Sequence, residues 1–178
     1  NDQQYIRIAT QAASCFVNFL KGLLNKEQDE SEATEILIPY AKNLLDTLSQ
    51  LFSASLNLNY FPLQEESLSS LSLLATILDK EFAPYYPSIM PGLKQILQNQ
   101  SITSSELKSQ AITTIGYLIS SVSDNSESFI GDFKEILDSF IKILVNLPEE
   151  DPQIPSIINA FVQISTSMKE HFKEYLTV

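Results

Sequence analysis

The sequence predicts an all-α fold, a superhelical stack of antiparallel helix pairs, and three observations carry that prediction. Apolar residues recur at steps of three and four along most of the 178 residues, and no alternating strand pattern survives. One string occurs four times, an aromatic or leucine, a Pro, Gly or short polar residue, then an apolar helical run: ILIPYAKNLLDTL, EFAPYYPSIMPGLKQIL, SFIGDFKEILDSFIKIL and HFKEYLTV. Anchored on Leu37, Phe82, Phe129 and Phe172, the strings lie 45, 47 and 43 residues apart. An interval of about 40 to 47 residues is that of a HEAT or armadillo unit, so a HEAT-repeat solenoid is expected, with about three full helix pairs and partial repeats at both ends.

Each element follows from its stripe. Residues 1–23 form an inner helix with Ile6, Ala9, Ala13, Phe16, Val17 and Leu20 on one face. The run from Lys26 to Glu35, rich in acids, reads as a solvated, mobile insertion between helices. Range 34–80 is a pair: the outer helix carries Tyr40, Leu44, Leu48 and Leu51, the inner one Leu68, Leu71, Leu74, Ala75 and Leu78. In range 81–122 the corresponding stripes are Ile89, Leu93, Ile96 and Leu97, then Leu107, Ala111, Ile115, Leu118 and Val122. Range 127–168 has Phe133, Ile136, Leu137, Phe140 and Leu144, then Ile154, Ile158, Phe161, Ile164 and Met168, and 169–178 opens a further outer helix.

Proline lacks an amide donor and is tolerated in a first helical turn, which places helix starts at Pro39, Pro62, Pro84, Pro87, Pro152 and Pro155. Pro91, inside SIMPGLKQIL beside Gly92, is expected to kink or restart its helix. Thr103 with Glu106 makes a capping box, and Asp151 reads as an N-cap.

Composition narrows the chemistry. Apolar residues make up 44% and charged ones 19%, with no apolar run of about 18 residues that would span a bilayer, so no membrane insertion is expected. A formal charge of −11 repels a phosphate backbone and argues against direct nucleic-acid binding, while it attracts a basic polypeptide. One cysteine and no secretory signal fit a reducing compartment, and the ends, Asn1 and Tyr175-Leu176-Thr177-Val178, read as those of a piece of a longer protein.

Catalytic and metal sites need convergent ligands or a nucleophile with its base, and the chain has one histidine, His171, and one cysteine, Cys15. Cys15 is expected as a buried thiol in the apolar stripe and His171 as a solvated linker residue. Four scattered glycines form no phosphate-cradling loop. Glu65-Glu66 and Glu149-Glu150-Asp151 fall at helix starts, where the dipole favours negative charge. No enzyme, cofactor or metal is expected.

Particular strings resemble the importin-β superfamily of nuclear transport receptors (karyopherins), and within it the importin-five (karyopherin β3) branch: VNF at Val17 to Phe19, ILIPY at Ile36 to Tyr40, FAPYYPSIMPGLKQIL at Phe82 to Leu97 and EEDPQIPSIINAF at Glu149 to Phe161. They keep the order and nearly the spacing of that branch across essentially the whole chain, and depart from it at Phe161, at Pro155 and in the acidic run before Thr34. The resemblance implies central HEAT repeats of a carrier shuttling between cytoplasm and nucleus. Its partners would be protein cargo with a basic nuclear localisation signal on a concave inner face, Phe-Gly nucleoporins on the outer helices, and Ran-GTP, bound mainly by repeats outside this segment. On that reading Asn18, Glu66, Ser70, Ser109, Thr113 and Asn159 line the exposed face of the inner helices and bond peptide backbone, with Glu65 and Glu106 facing lysines. Only Asn18 rests partly on a matching string. The alternative is a HEAT scaffold for assembling protein complexes without Ran dependence.

Overall fold

The computed structural model describes residues 2–24, 30–99 and 104–176. Among them are seven α-helices, α1 (Asp2–Leu24), α2 (Glu30–Asn57), α3 (Phe61–Leu78), α4 (Tyr86–Gln98), α5 (Ser105–Ser121), α6 (Ile130–Asn146) and α7 (Gln153–Met168), and no strand. Three 3-10 turns, Asp79–Tyr85, Ser123–Phe129 and Lys169–Tyr175, each close an inner helix. α1, α3, α5 and α7 pack side by side in one layer; α2, α4 and α6 form the other, each lying against the inner helix that follows it.

The 3-10 turns begin 44 and then 46 residues apart, and that offset aligns α3, α5 and α7 position by position. Burial follows the alignment. Ser67, Ala111 and Ile157 are buried, as are Leu74, Leu118 and Ile164, whereas Pro62, Glu106 and Pro152 are exposed. Asp79 and Lys169, two units apart, share one backbone conformation, φ 44°, ψ −116° and φ 49°, ψ −121°, and each amide donates to the carbonyl four residues back. Phe82 and Phe172 hold the fourth place of their turns while Phe129 holds the seventh, with Tyr85 and Tyr175. The anchors Phe82, Phe129 and Phe172 therefore mix two ring positions, which spreads an interval of 44 and 46 into 47 and 43.

One core runs through the stack, from Leu20 on α1 through Phe82, Phe133 and Phe140 to Ile164 on α7. Aromatic rings join the units: Tyr86 lies 4.7 Å from Phe129 and 6.4 Å from Phe133, centroid to centroid.

Several expectations need correction. α2 starts at Glu30, so Glu30 to Glu35 are helical rather than loop, and residues 26–29 lie outside the described residues. Ala33 and Leu37 continue the buried stripe back through that segment, and Glu and Ala are strong helix formers. Pro39 consequently sits inside α2, on its exposed side, where the carbonyl that loses its amide donor is open to solvent rather than buried. Tyr40 is exposed: the stripe runs through Leu37, Ala41, Leu45, Leu48 and Phe52, one residue round from the expected one.

Pro91 does not restart α4, which runs from Tyr86 to Gln98 with Pro91 inside it, and like Pro39 it lies on the exposed side of its helix. Ser104 caps α5, its Oγ accepting from the Leu107 amide at 3.1 Å, while Thr103 lies outside the described residues. Pro152 holds the cap position of α7, and Asp151 supplies the bond, its Oδ1 accepting from the Gln153 amide at 2.9 Å.

Ile158 is 52% exposed and Val162 60%. Their counterparts on α3 and α5, Leu68 and Ile112, then Ser72 and Gly116, are buried against the next inner helix. Among the described residues no further inner helix follows α7, and that is the whole difference.

Candidate functional site

The surface built by the inner layer follows from the same alignment. Rows of equivalent residues run across α3, α5 and α7: Glu65, Ser109 and Pro155; Glu66, Gln110 and Ser156; Ser69, Thr113 and Asn159; Leu73, Tyr117 and Gln163; Thr76, Ser120 and Thr166. Every one is partly or fully exposed. Ser69, Gln110, Tyr117, Ser156 and Gln163 were not singled out from sequence, and the 44 and 46 residue offset is the signal that finds them.

The candidates divide once placed. Asn18, Asn159 and Glu106 are exposed, and Glu65 and Glu66 are partly so. Ser70 is fully buried, one position round from the open row, and donates to the Glu66 carbonyl at 2.9 Å, so it presents nothing to a partner. Ser109 and Thr113 are half-buried and engaged between helices. Ser109 Oγ shares a hydrogen bond of 2.6 Å with Ser156 Oγ and donates to the Pro152 carbonyl at 3.1 Å. Thr113 Oγ1 donates to the Ser109 carbonyl at 3.0 Å and lies 3.2 Å from Ser156 Oγ. These two hydroxyls hold α5 to α7 before they contact anything else.

The inner layer is stitched by polar groups at intervals of one repeat. Gln110 Nε2 donates to Ser69 Oγ, and Ser72 Oγ pairs with Thr114 Oγ1 at 2.7 Å. Ser105 Oγ donates to Asp151 Oδ2 at 3.2 Å. The last bond draws together the N-terminal ends of α5 and α7, and with them a row of acids. Glu106 stands in the first turn of α5 and Glu149, Glu150 and Asp151 lie ahead of α7, whereas Glu65 and Glu66, expected at a helix start, lie one turn into α3, whose first turn carries no acid. The helix dipole accounts for Glu106 and for the acids just ahead of α7, but not for Glu65 and Glu66, which lie beyond the first turn of α3. Brought to one end of three consecutive helices, they present a negative edge.

Two grooves open between outer helices. One of ~280 Å³ separates α2 from α4, with Phe52, Leu56, Ile89 and Pro91 in its walls and Ser49, Asn57, Ser88 and Gln95 around them. The other, ~160 Å³ between α4 and α6, is lined by Leu97, Ile136 and Ile143 with Lys94, Glu135 and Lys142.

Among the described residues no group of three or more His, Cys, Asp or Glu side chains is placed to hold a metal ion, and no helix is long and apolar enough to cross a membrane. Cys15 is exposed rather than buried. It stands two residues from Ala13 and two from Val17, both on the buried face, and two residues of helix are more than half a turn. His171 is partly exposed, with Nε2 3.3 Å from Glu127 Oε2 in the preceding turn.

A family model described as importin subunit beta-1-like, TPR repeats, matches residues 39–178. Over 121 residues the chain is 30% identical to a probable importin-5 homolog of Dictyostelium discoideum, a match covering 67% of this chain and 11% of that protein. Over 164 residues it is 27% identical to importin subunit beta-3 of Saccharomyces cerevisiae, covering 90% of this chain and 13% of that protein. The chain thus spans about a tenth of the length of these relatives. A TPR unit is about 34 residues long, so the interval in this chain is of HEAT length whatever the repeats are called.

Proposed function

This chain belongs to the importin subunit beta-1-like family of helical-repeat proteins, and from that premise we propose that it is a segment of a nuclear transport receptor that holds protein cargo on its inner-helix face. The observation that carries the proposal is the acidic edge formed by Glu65, Glu66, Glu106 and Glu149 to Asp151 beside open rows of hydroxyl and amide side chains. A basic localisation signal is an extended, lysine-rich peptide. It needs carboxylates for its ammonium groups and spaced hydrogen-bonding groups for its backbone, and a row repeated once per helix pair supplies both. Asn18 on α1 and Asn159 on α7 extend the amide content of that face.

Single exposed ion pairs contribute about 0.2 to 1 kcal/mol, so affinity is spread over many contacts and falls as salt rises. In the full-length receptor, Ran-GTP binds mainly through other repeats and releases the cargo, and the carrier shuttles between cytoplasm and nucleus. The groove between α4 and α6, with Leu97, Ile136 and Ile143 in its lining, suits the aromatic side chains of Phe-Gly nucleoporins.

Fluorescence anisotropy with a labelled lysine-rich localisation peptide tests the reading. Binding that weakens with salt and is lost in the triple variant Glu65→Lys, Glu66→Lys, Glu106→Lys supports it; binding indifferent to that charge reversal rejects it. The second reading, a HEAT scaffold without a Ran cycle, is separated by adding GTP-locked Ran to the full-length protein with peptide bound. Release identifies the carrier, and retention the scaffold.

A further inference from the structure

The two boundaries of the outer layer are built differently. Lys94 on α4 reaches across the groove to Asp132 and, at 2.7 Å, to Glu135, both on α6. Tyr86, at the start of α4, donates to the other oxygen of Asp132 at 2.5 Å. Asp132 is therefore gripped through both carboxylate oxygens by one neighbouring helix. The Lys94 side chain is only 20% exposed, whereas Lys80–Asp124 and Lys134–Glu174, which also cross between units, are more open to water. Attraction between charges strengthens as water is excluded, while exposed pairs contribute little.

At the α2–α4 boundary the close contact is apolar. The Phe52 ring lies where a Cβ on Gly92 would come within 2.8 Å of it. Such a contact holds the two helices close without a directional bond between them, and the larger groove opens beside it. The α4–α6 boundary is thus tied by hydrogen bonds to charged groups, two of them on one carboxylate, and the α2–α4 boundary by packing.

We propose that Lys94, Asp132, Glu135 and Tyr86 form a latch that locks α4 to α6, while Phe52 and Gly92 form a joint between α2 and α4, so that the solenoid bends at α2–α4 until the latch opens. Lys94 and Glu135 also line the α4–α6 groove, so opening the latch widens it. Removing Lys94 leaves Asp132 and Glu135, three residues apart on one helix face, as like charges tied to α4 only by the Tyr86 bond, an arrangement that favours contact with water over contact with α4.

The test is double electron–electron resonance on a Cys15→Ser background, with spin labels at exposed Gln50 on α2, Ser88 on α4 and Val145 on α6, taken in pairs. The α4–α6 distance distribution is expected to be narrow and the α2–α4 one broad. Lys94→Met, Asp132→Asn and Tyr86→Phe should each broaden α4–α6 and leave α2–α4 as it was, with helical circular dichroism retained. Equal widths at the two boundaries in the unaltered protein would overturn the latch. So would an α4–α6 width that ignores Lys94→Met; if that variant does not fold, Glu135→Gln, which removes one partner only, replaces it under the same criterion. No partner protein enters the measurement, so its outcome is independent of the receptor reading.

Discussion

At the scale of single residues, two glycines make opposite demands. A Cβ at Gly92 meets the buried Phe52 ring at 2.8 Å, whereas one at Gly22 meets nothing within 4 Å. Replacing glycine in a helix gains up to about 1 kcal/mol of backbone stability, and forcing bulk into a filled core costs about 1 to 3 kcal/mol. Gly22→Ala is therefore expected to raise the urea midpoint and Gly92→Val to lower it, with Phe52→Leu restoring part of the Gly92→Val loss. Tyr86 gives a pH prediction. Burial, then its bond to Asp132, push its pKa well above the tyrosine range, and Lys94 is raised too, its bonds to Asp132 and Glu135 outweighing burial. Folded protein keeps a proton that the unfolded chain releases, so this stability is complete below a pH of about 10 and declines above it. Between neutral pH and about 11 the native protein should lose more unfolding free energy than Tyr86→Phe, measured by urea titration at each pH. Residue detail was the least legible level in the sequence. Cys15 and Ser70 each lie one or two positions from the face they were assigned to, and a helix turns about 100° per residue. A small error of phase thus exchanges inside for outside.

At the scale of elements, helix existence was legible and helix ends less so. The stripes of α3, α4, α5 and α6 were read correctly because three or four turns of periodic leucine, isoleucine and phenylalanine average out single errors. The start of α2 was misread because Pro39 looked like a first-turn proline and the acids before it looked like loop. Nothing local distinguishes a proline on the wet side of a helix from one that begins it. The cap of α5 was misplaced by one residue for a similar reason: Thr103 and Ser104 are both competent caps, and which hydroxyl meets an amide is settled only by backbone geometry. Ser104 receives the Leu107 amide. Ser104→Ala should therefore cost about 1 kcal/mol in urea unfolding, and Ser104→Asp, which keeps the acceptor, should cost little. Loss in Ser104→Asp equal to that in Ser104→Ala would mean that the hydroxyl, not the cap, matters.

At the scale of the whole molecule, the repeat interval announced the architecture, since each helix pair leaves an apolar face that only a neighbour can cover. What the interval could not say is which positions the neighbour covers. Ile158 and Leu68 have the same sequence signature, and only the helix beside them makes one exposed and the other buried. The same dependence on neighbours sets the distribution of stability. Among the described residues α5 packs against both α3 and α7, whereas α1 packs against one inner helix, α3. If stability is a sum over adjacent contacts, damage should spread only to touching units. Ile115, fully buried in α5, and Val17, buried in α1, make the comparison. Ile115→Ala is expected to cost about 2 to 5 kcal/mol and to speed amide exchange in α3, α5 and α7 together. Val17→Ala should speed exchange in α1 and leave α7 at its native rate. Hydrogen exchange read by mass spectrometry distinguishes this from a single cooperative domain, in which either substitution would lower the protection of every helix by the same factor.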